Sequence, residues 1–180
     1  MLNLNKYTVD VLNMAKLKGF LSDFLHAGNP MLKEGSKAPD FRLVGEDGRM
    51  HSLGDFKSKY LVLYFYPKDL TPGCTIQAMT YSRKLGALKK LGATVVGVSK
   101  DDIELHKKFK SKCRIKFLLL SDPSSKTIKA YGAYGDRGIF GMGTLRNTYI
   151  ISRGRVVRMA RKVDPYKDPA NAIEFIKAQR

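Results

Sequence analysis

Apolar positions along this chain follow two rhythms. The first is an unbroken run, Leu61-Val62-Leu63-Tyr64-Phe65-Tyr66, halted by Pro67. A run of that length reads as a central strand buried on both faces. The second begins just beyond Cys74: Ala78, Tyr81, Leu85, Leu88 and Leu91 fall at helical spacing, and Gly92 stands where a C-terminal cap is expected. Between the two lies a loop, residues 67–73, at the carboxyl end of the strand.

The other elements follow from the same patterning. Asp40-Phe41-Arg42-Leu43 and Met50-His51-Ser52-Leu53 pair as a hairpin around Glu46-Asp47-Gly48. Residues 94–98 form a second apolar strand, and Asp101-Asp102 cap a helix running to about Lys112. Residues 117–120 read as a strand, and Ser121-Asp122-Pro123 as the start of a short helix. Residues 147–152 and 155–159 flank Arg153-Gly154, a hairpin signal, and Asp168-Pro169 opens a last helix toward Lys177. The run Gly138-Ile139-Phe140-Gly141-Met142-Gly143 lacks the preceding strand and the spacing of a nucleotide-binding loop, and reads as a flexible loop. Strands alternating with helices, with hairpins at both ends, predict an α/β domain over residues 31–180: a mixed central sheet flanked by helices on both faces, with an N-terminal hairpin. Residues 1–30 read as an extension, an amphipathic helix with Met14, Leu17, Leu21, Phe24 and Leu25 on one face, ended by Gly28-Asn29-Pro30.

Composition narrows the class. At 180 residues and 43% hydrophobic content, the chain suits one compact domain with a sizeable core. No apolar run approaches the ~20 residues of a bilayer span. The start of the chain shows no secretory-signal pattern, and Asp10 and Asp23 without an arginine argue against a transit peptide. Two cysteines are too few for a disulfide framework and point to a reducing, cytoplasmic setting. His26, His51 and His106 are scattered, and neither cysteine has a neighbour at metal-ligand spacing, so neither metal nor cofactor is expected.

Charge raises the question of partners. The net charge is +17, with one run through Lys107, Lys108, Lys110, Lys112, Arg114 and Lys116 and another through Arg153, Arg155, Arg158, Arg161 and Lys162. Such charge attracts nucleic acid or anionic membrane at long range. The runs lack the interleaved aromatics of a single-strand binding surface, and no DNA-reading motif is present. They read as solvated basic surface, which argues against a nucleic-acid partner.

Cys74 is the candidate for chemistry. The first turn of a helix at the carboxyl end of a central strand offers unpaired N–H groups and a helix dipole, both of which favour the thiolate.

Four stretches bring a family into view: Ala38-Pro39-Asp40-Phe41, Tyr64-Phe65-Tyr66-Pro67-Lys68-Asp69, Thr71-Pro72-Gly73-Cys74 and Arg146-Asn147-Thr148-Tyr149. In these, residues 31–180 resemble a peroxiredoxin of the Q type, also called bacterioferritin-comigratory-protein-like. The second and third stretches are the specific ones. The resemblance implies a thioredoxin-like fold and thiol-dependent reduction of hydrogen peroxide and organic hydroperoxides, recycled by thioredoxin or a similar dithiol, in a monomer or weak dimer. It implies Cys74 as the nucleophile that becomes a sulfenic acid. It also implies a hydroxyl from Thr71, a guanidinium from Arg146 that stabilises the breaking O–O bond, and a shield from Pro67. Backbone N–H groups of Thr71 and Cys74 would point at the substrate. Gln77, one turn after Cys74, would orient Arg146.

The chain departs from the pattern in one place. Many Q-type members carry a resolving cysteine five residues after the first, and here that position is Met79. The alternative is Cys113, about one turn beyond the corresponding cysteine of other relatives. Since a disulfide needs Cα atoms within roughly 7 Å, Cys113 would require local unwinding of the Cys74 helix. Without it, the cycle uses one cysteine and an external thiol. A thiol–disulfide oxidoreductase on the same fold would need Cys-x-x-Cys, but Thr75-Ile76-Gln77 follows Cys74. A basic nucleic-acid or membrane-surface protein would be indifferent to the Cys74 sulfur.

Overall fold

Strand β3 (Tyr60–Phe65) is buried at every position, and the reason is visible in its alternation. Tyr60, Val62 and Tyr64 enter one apolar cluster, while Leu61, Leu63 and Phe65 enter a second on the opposite face. Each such side chain withdrawn from water contributes ~1.5–3 kcal/mol, so both faces must be covered. The computed structural model describes residues 32–179. The helix expected within residues 1–30 lies outside the described residues.

Before β3 come β1 (Arg42–Gly45) and β2 (Met50–Ser52). After it come α1 (Pro72–Lys90), β4 (Ala93–Ser99), α2 (Ile103–Cys113), β5 (Leu118–Ser121) and α3 (Lys126–Ala130). The chain closes with β6 (Tyr134–Asp136), β7 (Met142–Thr144), β8 (Asn147–Ser152), β9 (Arg155–Ala160) and α4 (Asp168–Ala178). Seven strands form one mixed sheet in the order β2-β1-β5-β4-β3-β8-β9, with β5, β4 and β3 parallel and the others antiparallel to their neighbours. The first cluster packs Ala78, Tyr81, Leu85 and Leu88 of α1, Phe109 of α2 and Ile173 and Ile176 of α4 on one face; Ile128 of α3 packs on the other. Helices therefore cover both faces, as the patterning predicted.

Three details differ from the sequence reading. The short helix begins at Lys126 rather than near Asp122. Ser125 takes a left-handed φ of 59°, and the Asp122 carboxylate is spent accepting the Ile128 N–H at 2.9 Å. Asp102 alone caps α2, through the Leu105 N–H at 2.8 Å. Residues 138–143 are no flexible loop: they belong to a separate two-stranded ribbon, β6–β7, closed by a turn of 3-10 helix at Gly138–Phe140. Alternation over three-residue strands is too brief to be read in the sequence.

Candidate active site

Chain geometry gathers the site at the carboxyl end of β3. The antiparallel register of β3 and β8 sets Phe65 opposite Asn147, so Arg146, one residue earlier, arrives where the chain leaves β3. Thr71 is the N-cap of α1 and Pro72 its first residue, which makes Cys74 the third. Pro72 suits that place because its fixed φ is helical and its missing N–H is not needed. Among the described residues no carbonyl accepts the Gly73 or Cys74 N–H, so both donors remain available beside the sulfur. Cys74 is 1% exposed.

Arg146 bridges the sulfur to a buried polar chain. Its Nη2 donates to Cys74 Sγ at 3.3 Å and its Nη1 to Gln77 Oε1 at 2.8 Å. Gln77 Nε2 in turn donates to Asp168 Oδ2 at 2.8 Å, and the same oxygen accepts from Tyr81 Oη at 2.7 Å and Thr148 Oγ1 at 2.8 Å. The guanidinium needs close quarters. A Cβ on Gly73 would stand 3.1 Å from Arg146 Nη2, so the guanidinium would have to give by a few tenths of an ångström to admit one. The sequence reading placed Gln77 and Arg146 but missed Asp168, Tyr81 and Thr148. An Asp-Pro pair at a helix start ordinarily signals a cap, and nothing local says that this carboxylate turns inward.

Burial pushes the Asp168 carboxyl above its ordinary range, against the opposing pull of hydrogen bonds from Tyr81, Gln77 and Thr148. A carboxyl raised on folding holds its proton more tightly in the folded chain. Its contribution to stability is therefore full below the unfolded value of about 3.9 and is lost as pH rises through the folded value. In Asp168→Asn this loss should vanish, so the melting temperature, followed by calorimetry from about pH 4 upward, should fall less with pH than in the wild type. Asp168→Ala releases Gln77 as well. Peroxide kinetics should then show kcat/KM lower by about tenfold or more, the scale on which a misplaced catalytic group acts.

The loop before Cys74 is held by its own network. Thr71 Oγ1 donates to the Lys68 carbonyl at 2.9 Å, leaving its lone pairs to accept. Leu70 sits at a φ of 62°, a strained conformation for a bulky residue. Asp69 anchors the loop to the fold. Its N–H donates to Asp101 Oδ2 at 2.7 Å, its Oδ1 accepts from Tyr66 Oη at 2.7 Å, and its Oδ2 lies 2.6 Å from His106 Nδ1 on α2.

Pro67, Lys68, Thr71, Gly73, Phe140 and Arg146 line a cavity of about 770 Å³ beside the sulfur. Cys113 opens elsewhere, on a groove of about 460 Å³ with Met79, Ser82 and Arg83 on the flank of α1. Both thiols are free. The fold thus brings together Cys74, Thr71, Pro67, Arg146 and Gln77, and opens Cys113 on a different groove. Among the described residues no cluster of His, Cys, Asp or Glu could hold a metal, and no helix is long and apolar enough to cross a membrane.

The family model for AhpC/TSA matches residues 35–160. The chain belongs to the AhpC/TSA family. It is 42% identical over 147 residues to peroxiredoxin Bcp of Bacillus subtilis, covering 79% of this chain and 94% of that protein. It is 40% identical over 149 residues to the chloroplastic peroxiredoxin Q of Suaeda salsa, covering 82% of this chain and 69% of that one. Among solved structures, a PrxQ mutant from Xylella fastidiosa superposes with a TM-score of 0.79 at 28% identity, over 83% of this chain and 98% of the other. The bacterioferritin comigratory protein of Xanthomonas campestris, studied for its alkyl peroxide reduction activity, superposes with a TM-score of 0.75 at 30% identity, over 82% and 97%. This family member has the thioredoxin-like fold of peroxiredoxins and is a thiol-dependent peroxidase of the Bcp and peroxiredoxin Q kind.

Proposed function

We propose that Cys74 is the peroxidatic nucleophile of this peroxidase, acting on hydrogen peroxide and organic hydroperoxides. The observation that carries this reading is the Arg146 guanidinium 3.3 Å from the sulfur of Cys74, a residue in the first turn of α1. A guanidinium and a helix start are favourable neighbours for negative charge. The sulfur attacks one peroxide oxygen, the O–O bond breaks, and cysteine becomes sulfenic acid as the other oxygen leaves as alkoxide or hydroxide and takes up a proton. Arg146 meets the negative charge that grows on the departing oxygen. Thr71, its proton committed to Lys68, accepts from the hydroperoxide O–H, and Pro67 walls the sulfur from solvent. The alkyl peroxide reduction of the Xanthomonas relative supports organic substrates for the 770 Å³ cavity.

A second thiol then attacks the sulfenic acid sulfur, releasing water and forming a disulfide, which thioredoxin or a similar dithiol reduces. Cys113 supplies that thiol once α1 unwinds near Cys74. Its place on the last residue of α2, half-buried and opening on a groove, supports this. The same reading makes the protein a cytoplasmic monomer or weak dimer, as free thiols suit a reducing compartment.

Intact mass after one equivalent of peroxide tests the cycle. Loss of two hydrogens in the wild type, absent from Cys74→Ser and Cys113→Ser, is expected. Oxygen addition without that loss would assign resolution to an external thiol. Undiminished peroxide consumption by Cys74→Ser would remove the mechanism altogether.

A further inference from the structure

The tip of the β6–β7 ribbon is ordered and yet apolar. The Arg137 N–H donates to the Gly141 carbonyl at 3.0 Å, the Gly141 N–H to the Gly138 carbonyl at 2.9 Å, and the Gly138 N–H to Asp136 Oδ1 at 2.8 Å. Gly138 and Gly141 hold φ of 68° and 64°, a left-handed backbone that glycine takes without strain. The turn so built throws Ile139, Phe140 and Met142 outward at 96%, 72% and 61% exposure. Single exposed apolar residues are ordinary, but three on one apex make a patch that folding does not use.

Cations line the cavity that Phe140 of that patch shares. The cavity beside Cys74 is lined by Lys68, Arg137, Arg146 and Lys162 against one acid, Asp136, on a chain of net charge +17. The Arg137 guanidinium lies 5.8 Å over the Phe140 ring, which places cation and apolar surface side by side. Phe140, Leu145 and Val163 continue the apolar wall into the same cavity, which reaches Thr71, Gly73 and Arg146 around the sulfur.

We infer that this tip docks the protein on an anionic phospholipid surface, with Ile139, Phe140 and Met142 among the acyl chains and the neighbouring cations against the phosphates. The mouth of the cavity then faces the lipid, and hydroperoxides carried on its acyl chains enter beside Cys74. A narrow apex offers little to a protein partner, whose stable interface takes about 800 Å² a side. A bilayer accepts apolar side chains one by one and adds attraction for each cation at its surface. The choice of substrate rests on the peroxidase mechanism proposed above; the docking does not.

Co-sedimentation of the full chain with vesicles tests this, using phosphatidylcholine alone and phosphatidylcholine mixed with phosphatidylglycerol. Binding to the mixed vesicles is expected, weakened about tenfold or more in Ile139→Ser/Met142→Ser and unaffected in Met50→Ser, an exposed methionine elsewhere. The ratio of rates on vesicle-borne phospholipid hydroperoxide to hydrogen peroxide should fall by about the same factor in the tip variant. Cys74→Ser should bind as the wild type does, so a protein that binds vesicles but consumes no peroxide would remove the substrate assignment and leave the docking. The docking is overturned by absence of binding, by equal binding of the tip variant, or by light scattering that shows a dimer which the tip variant dissociates.

Discussion

Arg146→Met should lower kcat/KM for hydroperoxide by about 10²- to 10³-fold, the loss that accompanies removal of one preorganised donor from a developing oxyanion. The change has two parts. The sulfur loses the cation 3.3 Å away, and the leaving oxygen loses the guanidinium that meets its growing charge. Gln77 Oε1, fully buried, also loses the donor at 2.8 Å, which costs about 1–3 kcal/mol of stability. Arg146→Lys should recover part of the rate at most, since a single ammonium cannot hold the planar fork that meets Sγ and Gln77 at once. Stopped-flow peroxide consumption measures the rate and thermal melting the stability. A loss below about threefold for the methionine variant would remove Arg146 from the chemistry.

His106→Ala should have the largest effect on stability, about 3–5 kcal/mol. Both His106 and Asp69 are fully enclosed. Deleting the imidazole opens a cavity beside Tyr66 and strips Asp69 Oδ2 of its partner at 2.6 Å, while Tyr66 still serves Oδ1. Against a typical total of 5–15 kcal/mol, that loss is a large share, and a shift of the denaturant midpoint reads it directly. His106→Asn places an amide nitrogen near the former Nδ1 and should recover about half the loss. A change under about 1 kcal/mol in the alanine variant would mean that the pair does not anchor the loop. Because Asp69 stands two residues before Thr71, peroxide reduction should weaken along with stability.

What could be read before folding divides cleanly by the range of the interaction. The run 61–66 declared a strand buried on both faces because two-sided burial needs apolar residues at every position, and Ala78, Tyr81, Leu85 and Leu88 declared a helix because one face meets the sheet. Cys74 was placed by its neighbours in the chain: strand, tight loop, proline and helix start. Arg153-Gly154 fixed the β8–β9 hairpin, with φ of 48° and 71° at the two turn residues.

Asp168 was read as a helix signal and is instead the shared acceptor beneath the site, 91 residues from Gln77. The Asp69–His106 pair spans 37 residues, and neither partner marks the other in sequence. The ribbon holding Ile139 and Phe140 looked like a loose loop because its strands are three residues each.

The chain's own order of residues determined where the strands and helices form and which sulfur heads a helix, since periodicity, caps and turns act between near neighbours. Only the tertiary structure decided how closely Arg146 meets that sulfur, which carboxylate holds Gln77 beneath it, and that Cys113 opens on a different groove. Those contacts depend on strand register and helix docking, which bring distant residues to one point without leaving a mark on the sequence beside either of them.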